Sequence, residues 1–311
     1  MNWILLSLLS ALFLGLYDIT KKLAVKNNAV PPVLLLNVMF AAALWTPIIW
    51  MSSLSPSMLT QAQSAGDSAW LARWQLAVAP IDMVQHLQVA FKSLIVGISW
   101  TAAFAALHRL PISVASPIRA TGPVWTISFA TLLMGERPSF QQWVGLSIIV
   151  LAFLAFSRVS RTEGISFHRD RSIWLMYLAT LSGSASALYD KYLLQTVGLH
   201  PATVQAWFSI YLVPVMLPWY AWWRWSQKSK TRFAWRHSIP LIALFLLLSD
   251  FLYFQAVSDP NSLISIISPV RRTSIIVAFV AGVTWFGELN WRPKLLCIIG
   301  LLLGVFVISF R

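Results

Sequence analysis

The chain has 311 residues, 58% of them hydrophobic and only 11% charged, with a formal net charge of +13 and a mean hydropathy of +0.70. A soluble domain carries about 25% charged residues, and a water-exposed fold of this length could not hide so much apolar surface, whereas a bilayer solvates outward apolar faces. The basic surplus falls mostly at the ends of apolar segments or in short loops, where it sets topology, so nucleic acid is set aside as a partner.

A membrane span needs roughly 20 mostly apolar residues. Ten segments qualify: 3–25, 31–52, 84–107, 112–134, 139–158, 172–197, 201–223, 238–257, 261–286 and 291–310. The first reads as a membrane helix rather than a cleaved signal, because no basic leader or small-residue cleavage site comes before Asp18. It ends with Tyr17-Asp18 and Lys21-Lys22, so Asp18 can pair locally with either lysine.

Residues 53–83 form a polar-to-mixed insertion, in which Trp70, Leu71, Trp74 and Val78 recur at helical spacing. Two readings stand for it: a short helix lying in the interface, or a surface loop. The third span carries His86 and Lys92 together with Trp100 and Phe104. The fourth carries Ser113, Ser116-Pro117 and Arg119, followed by Gly135-Glu136. A basic stretch, residues 159–171, joins the fifth span to the sixth. The sixth has the small-residue run Ser182–Ala187 and then Tyr189-Asp190. The cluster from Trp219 to Trp225 reads as an interfacial belt. Asp250 and Tyr253 lie in the eighth span, Ser265, Ser268-Pro269 and Arg271-Arg272 in the ninth, and Gly300 and Gly304 in the tenth, where they suit close helix packing.

These elements repeat. Ser116-Pro117-Ile118-Arg119-Ala120-Thr121 matches Ser268-Pro269-Val270-Arg271-Arg272-Thr273, and the same shift of 152 residues carries Gly135-Glu136 onto Gly287-Glu288. Leu16-Tyr17-Asp18 matches Leu188-Tyr189-Asp190 at a shift of 172, the extra 20 residues being absorbed by the insertion. Residues 1–158 and 172–311 are thus two copies of one five-span unit. Five is odd, so the second copy enters the membrane from the other side, giving an inverted repeat. With loops assigned alternately to two faces, fifteen of the 23 Lys and Arg residues fall on one face and four on the other. By the positive-inside rule the first face is cytoplasmic, with both termini outside.

Pro111-Ile-Ser-Val-Ala-Ser-Pro117, running into Met134-Gly135-Glu136-Arg137 and then Trp143-Val-Gly145, resembles the conserved core of EamA-type domains of the drug/metabolite transporter superfamily. The second half repeats the pattern more loosely, from Asn261-Ser262-Leu263 through Gly287-Glu288 to Gly300. The resemblance implies an all-helical metabolite transporter in a bacterial inner membrane, from a superfamily whose substrates are too diverse to fix one here. The long insertion and the arginines of the fourth and ninth spans depart from the family pattern.

Proline cannot donate a helical hydrogen bond and crowds the carbonyl four residues back, which here belongs to Ser113 and to Ser265. Both helices are therefore expected to weaken at that depth. An arginine at mid-span costs roughly 2.5–3.5 kcal/mol on insertion scales, so Arg119, Arg271 and Arg272 need partners or a hydrated cavity. One reading has them attracting an anionic group of a substrate, with Ser113, Ser265, Tyr17 and Tyr189 completing the substrate-binding set. The other makes them structural salt bridges to Asp18, Asp190 or Asp250. Asp18 and Asp190 are the candidates for proton coupling. Glu136 and Glu288 suit helix capping or a nearby basic partner.

The sequence contains no phosphate-cradling Gly-Lys loop, no metal-ligand spacing and no nucleophile with an evident base. A cofactor, a metal and an enzymatic role are therefore not expected. The expected function is secondary transport, as an exporter or exchanger, of a small polar metabolite such as an amino acid or organic anion. Its partners would be the bilayer, the substrate, and a proton or counter-substrate, with the choice between monomer and dimer open. A channel or a non-transporting scaffold is the alternative.

Overall fold

The computed structural model describes residues 3–54, 75–134, 139–161, 170–227, 232–260, 262, 264–285 and 291–309. They form twelve α-helices: α1 Trp3–Val25, α2 Val30–Leu54, α3 Met83–Arg109, α4 Ile112–Ala120, α5 Gly122–Met134, α6 Phe140–Arg161, α7 Arg171–Lys191, α8 Pro201–Trp222, α9 Ser238–Ser258, α10 Ile264–Arg272, α11 Ser274–Thr284 and α12 Trp291–Ser309. Among the described residues there is no strand. Five helices, Trp3–Val25, Val30–Ser53, Met83–Arg109, Pro201–Ser226 and Ser238–Ser258, are long and apolar enough to cross a bilayer.

Local chemistry sets several boundaries. Asp82 opens α3 with a reciprocal capping box: its carboxylate accepts from the Gln85 N–H at 2.7 Å, and the Gln85 side chain accepts from the Asp82 N–H at 3.0 Å. Asp170 caps α7 through the Ser172 N–H at 2.7 Å. Pro201 stands at the first turn of α8, where its missing N–H leaves no bond unmade. Asn28 fixes the tight turn between α1 and α2: its amide donates to Ala24 O and Ala234 O and accepts from the Ala234 N–H at 2.9 Å. That turn and the segment before α9 therefore lie together.

The spans expected over 112–134 and 261–286 are each two helices. The sequence places the weak point at the carbonyls of Ser113 and Ser265, but the helix persists through both and breaks one to two turns later, at Thr121 and Thr273. Each threonine hydroxyl donates to the carbonyl three residues back, Ile118 at 2.7 Å and Val270 at 2.8 Å. The two breaks thus share one hydroxyl bond, though such a bond does not by itself end a helix, since Thr20 makes it to Tyr17 within α1.

Helix pairing follows a reciprocal pattern. α1 packs on α9 and α7 on α3; α1 also packs on α11 and α7 on α5; α4 meets α11 and α10 meets α5; α2 pairs with α8 and α6 with α12. Small residues permit the tightest contacts. A Cβ added at Gly304 of α12 would stand 2.8 Å from the Gly145 carbonyl and 3.0 Å from the Ile149 N of α6, so Gly300 and Gly304 serve packing within the chain. Outward faces are apolar, with Leu5, Leu8, Leu12, Leu151, Leu296 and Leu303 exposed, while serines, threonines and charged groups are buried inside. This is the arrangement of a protein solvated by lipid.

Trp70, Leu71 and Trp74 of the insertion lie outside the described residues, as do Glu136, Glu288 and residues 162–169 of the basic stretch. Val78 is buried beside Trp45, Ala202 and Ala206, and the Ala79 N–H donates to the Thr203 hydroxyl at 2.8 Å. The end of the insertion is therefore anchored at the start of α8.

Candidate functional site

A central cavity of about 140 Å³ lies where α1, α3 and α4 meet α7, α8, α9 and α10. Its wall holds five cationic side chains: Lys21 of α1, Lys92 of α3, Arg119 of α4, and Arg271 and Arg272 of α10. Asp190 and Asp250 also line it, and Asp18 is bonded behind them.

The charges are organised into three groups. Asp18, buried on α1, accepts from Lys21 at 2.9 Å and also from Arg119, so one carboxylate serves two cations. Lys92 is bonded to Asp190, with both side chains almost wholly buried. Arg271 reaches Asp250 at 2.9 Å and the Ser249 hydroxyl at 3.1 Å. Ion pairing and hydrogen bonding are what make charges at this depth tolerable. Aromatic faces complete each setting: Lys21 Nζ lies 4.3 Å from the Tyr17 ring centre, Lys92 Nζ 4.6 Å from that of Phe208, and the Arg271 guanidinium 4.1 Å from that of Tyr253.

Arg272 differs from these. Among the described residues no carboxylate lies within ion-pair distance of it. Its guanidinium rests against Gly122, where an added Cβ would come within 2.8 Å of Nη2. Arg272 Nε, Arg271 Nε and the Tyr253 hydroxyl are buried polar atoms with no hydrogen-bond partner among the described residues. All three belong to residues of the cavity wall.

The other expected site residues fall as follows. Tyr17 is buried in the wall. Tyr189 is not in the wall: its hydroxyl donates to Gln88 O at 3.3 Å and its ring meets Phe91 and Tyr192. Neighbouring residues on a helix point about 100° apart, and α7 turns Asp190 inward instead. Ser113 and Ser265 lie on α4 and α10, but their side chains fall outside the described residues. Of the other residues noted in the spans, Lys92, Trp100, Asp250 and Tyr253 line the cavity, as does Phe254 of α9. His86 does not; it bonds the Tyr211 hydroxyl at 2.7 Å and packs edge-on against Trp207. The sequence reading missed Lys21 as a wall residue and Ser99, Thr180, Ser186 and Ser268 as its neutral polar lining. The hydroxyls at Ser99 and Thr180 are engaged with the helices, donating to Ala179 O and Met176 O. No cluster of three or more His, Cys, Asp or Glu suited to a metal is found among the described residues.

The model of the EamA-like transporter family matches residues 1–158, just over half of the chain. The chain belongs to the EamA-like transporter family. It is accordingly an integral multi-pass membrane protein of the drug/metabolite transporter type, a family of transporters rather than enzymes. No curated protein sequence matches it. A solved crystal structure described only as that of a protein is 13% identical, with a TM-score of 0.56 over 97% of this chain and 96% of its own. At that identity the likeness speaks for the fold alone.

Proposed function

We propose that this EamA-like protein is a secondary transporter that exports or exchanges a small polar metabolite by alternating access through the central cavity. The observation that carries the reading is the composition of the cavity wall: buried charged groups from both halves of the chain converge on one space at the broken helices α4 and α10. Intramembrane ionisable groups facing a cavity are the usual marks of a substrate or ion path.

In this reading α4–α5 and α10–α11 each make one crossing, giving ten spans in two inverted repeats, residues 1–158 and 172–311 joined by 159–171. The reciprocal packing of α1 on α9 with α7 on α3, and of α4 on α11 with α10 on α5, supports it. So does the same Thr hydroxyl bond at Thr121 and Thr273. Discontinuous helices at the interface of repeats are the sites around which such halves rock. The membrane is a bacterial inner membrane, with the basic face cytoplasmic and both termini outside.

Arg119, Arg271 and Arg272 supply the positive field for an anionic substrate group, with Tyr17 beside them in the cavity wall and Ser113 and Ser265 proposed to complete the set. Arg119 does so from the group in which Asp18 is shared with Lys21, Arg271 from its pair with Asp250, and Arg272 directly. Asp18 and Asp190 are the groups through which a proton or counter-substrate is coupled. A proton on Asp190 removes the counter-charge of Lys92 and changes the field the substrate meets. The family match supports transport over a scaffold.

The test is two-sided labelling. With Cys297 replaced by Ser, a single cysteine at Ser186 in the cavity wall should react with a membrane-impermeant thiol reagent from either face of the membrane. Failure to react from both faces sinks the alternating-access path. Reporter tags showing the two halves in the same orientation sink the inverted repeat.

A further inference from the structure

The charges in the cavity do not balance. Among the described residues that line it or bond directly to its wall, Lys21, Lys92, Arg119, Arg271 and Arg272 face Asp18, Asp190 and Asp250: five cations against three carboxylates. Two pairs, Lys92–Asp190 and Arg271–Asp250, are neutral. The surplus sits in two places. One positive charge is left over in the Lys21–Asp18–Arg119 group, where one carboxylate is shared by two cations. The other is Arg272, without a carboxylate partner. Both belong to the wall of the same 140 Å³ cavity.

We infer that the cavity selects a small divalent anion, a dicarboxylate or the dianion of a phosphate monoester, one negative charge offsetting each positive surplus. Isolated buried charge is among the most unfavourable features a protein can hold, and a ligand of charge −2 neutralises the site while a ligand of charge −1 leaves half the surplus. The donors fit. Arg271, Arg272 and Tyr253, three residues that carry N–H or O–H donors, all line the cavity. A guanidinium edge takes two oxygens of a carboxylate or phosphate group at once. The small volume excludes bulky conjugates, and the rings of Tyr17, Trp100, Phe208 and Phe254 offer apolar contact to a short carbon chain between the charges.

This inference rests on the cavity being the transport site, and its test separates the two. Calorimetric titration of the purified protein with malonate, inorganic phosphate, acetate and glycine at pH 7.5 measures the charge preference without requiring transport. Malonate or phosphate should bind at least about tenfold more tightly than acetate or glycine, the difference of one charge-assisted hydrogen-bonded contact. Malonate ahead of phosphate assigns the dicarboxylate class, and the reverse order the phosphate class. Equal binding of acetate or glycine overturns the inference.

Arg272→Gln should erase the preference while melting near the wild-type temperature, and Arg272→Lys should keep part of it. An unchanged preference in folded Arg272→Gln overturns the role of Arg272, and if that variant does not fold, the wild-type ratio alone decides. In proteoliposomes, exchange of acetate or glycine as fast as that of malonate and phosphate contradicts the charge class and leaves transport standing. Tight divalent binding with no exchange supports the charge class and removes the transport reading.

Discussion

The guanidinium of Arg272 lies against the backbone of Gly122, close enough that a methyl group there would stand 2.8 Å from Nη2 and 2.9 Å from Nε. Gly122 is the first residue of α5, and its carbonyl accepts from Thr126 and from Ser184 of α7, both at 3.1 Å. Gly122 of α5 and Ser184 of α7 therefore form part of the floor on which Arg272 of α10 rests. In the matching position of the first half, the residue after Arg119 is Ala120, so the two halves share their breaks but not their charge.

Gly122→Ala should displace Arg272 without unfolding the helix. The clash is with the guanidinium end of a flexible side chain, which can move aside. Anion binding should weaken several-fold with little change in melting temperature, read by calorimetry and thermal denaturation of one preparation. Unaltered anion affinity would show that the guanidinium position is irrelevant.

Asp18→Asn should destabilise more than Asp250→Asn. Asp18 holds two cations with its side chain 6% exposed, whereas the Asp250–Arg271 pair is 15% and 16% exposed and also uses Ser249. Removing one partner of a buried pair costs about 3–5 kcal/mol, and partial solvation reduces it. Thermal melts in detergent give the ranking, and equal losses would contradict the shared-carboxylate reading.

Asp190→Asn tests coupling. Lys92 loses its counter-charge, and a proton-coupled transporter so altered should keep exchange between preloaded substrate pools but lose accumulation driven by a pH gradient. Gradient-driven uptake at the wild-type rate would exclude Asp190 from coupling.

Gly304→Leu should disrupt the seam between α6 and α12. Besides the Ile149 side chain, two of the obstructing atoms are backbone, the Gly145 carbonyl and the Ile149 N, which cannot turn aside, so the cost should reach or exceed the roughly 1–3 kcal/mol of ordinary overpacking. The melting temperature reports it, and no loss would mean the helices separate freely there.

Much of this architecture was legible in the chain. Apolar length and basic flanks mark the long helices, and the paired motifs around Pro117 and Pro269 lie in the two helices that end at Thr121 and Thr273. The location of the helix break was not legible, because a proline, having no N–H to give, weakens a helix without fixing the residue at which it ends, and packing decides that. Arg119, Arg271 and Arg272 stood out as mid-span charges. Which of them would be neutralised depended on rotations about α1, α7 and α9 that one sequence does not fix. Tyr17 and Tyr189 illustrate the limit: identical local motifs, one buried in the cavity wall and one turned toward Gln88 and Phe91.

The most direct test of the whole account is counterflow. Proteoliposomes preloaded with unlabelled malonate or phosphate are diluted into a trace of the labelled compound. A carrier working through this cavity gives a transient accumulation of label above its equilibrium level, absent in Arg272→Gln. Label that merely equilibrates, as through a pore, or that never enters with any divalent or monovalent compound offered, contradicts it.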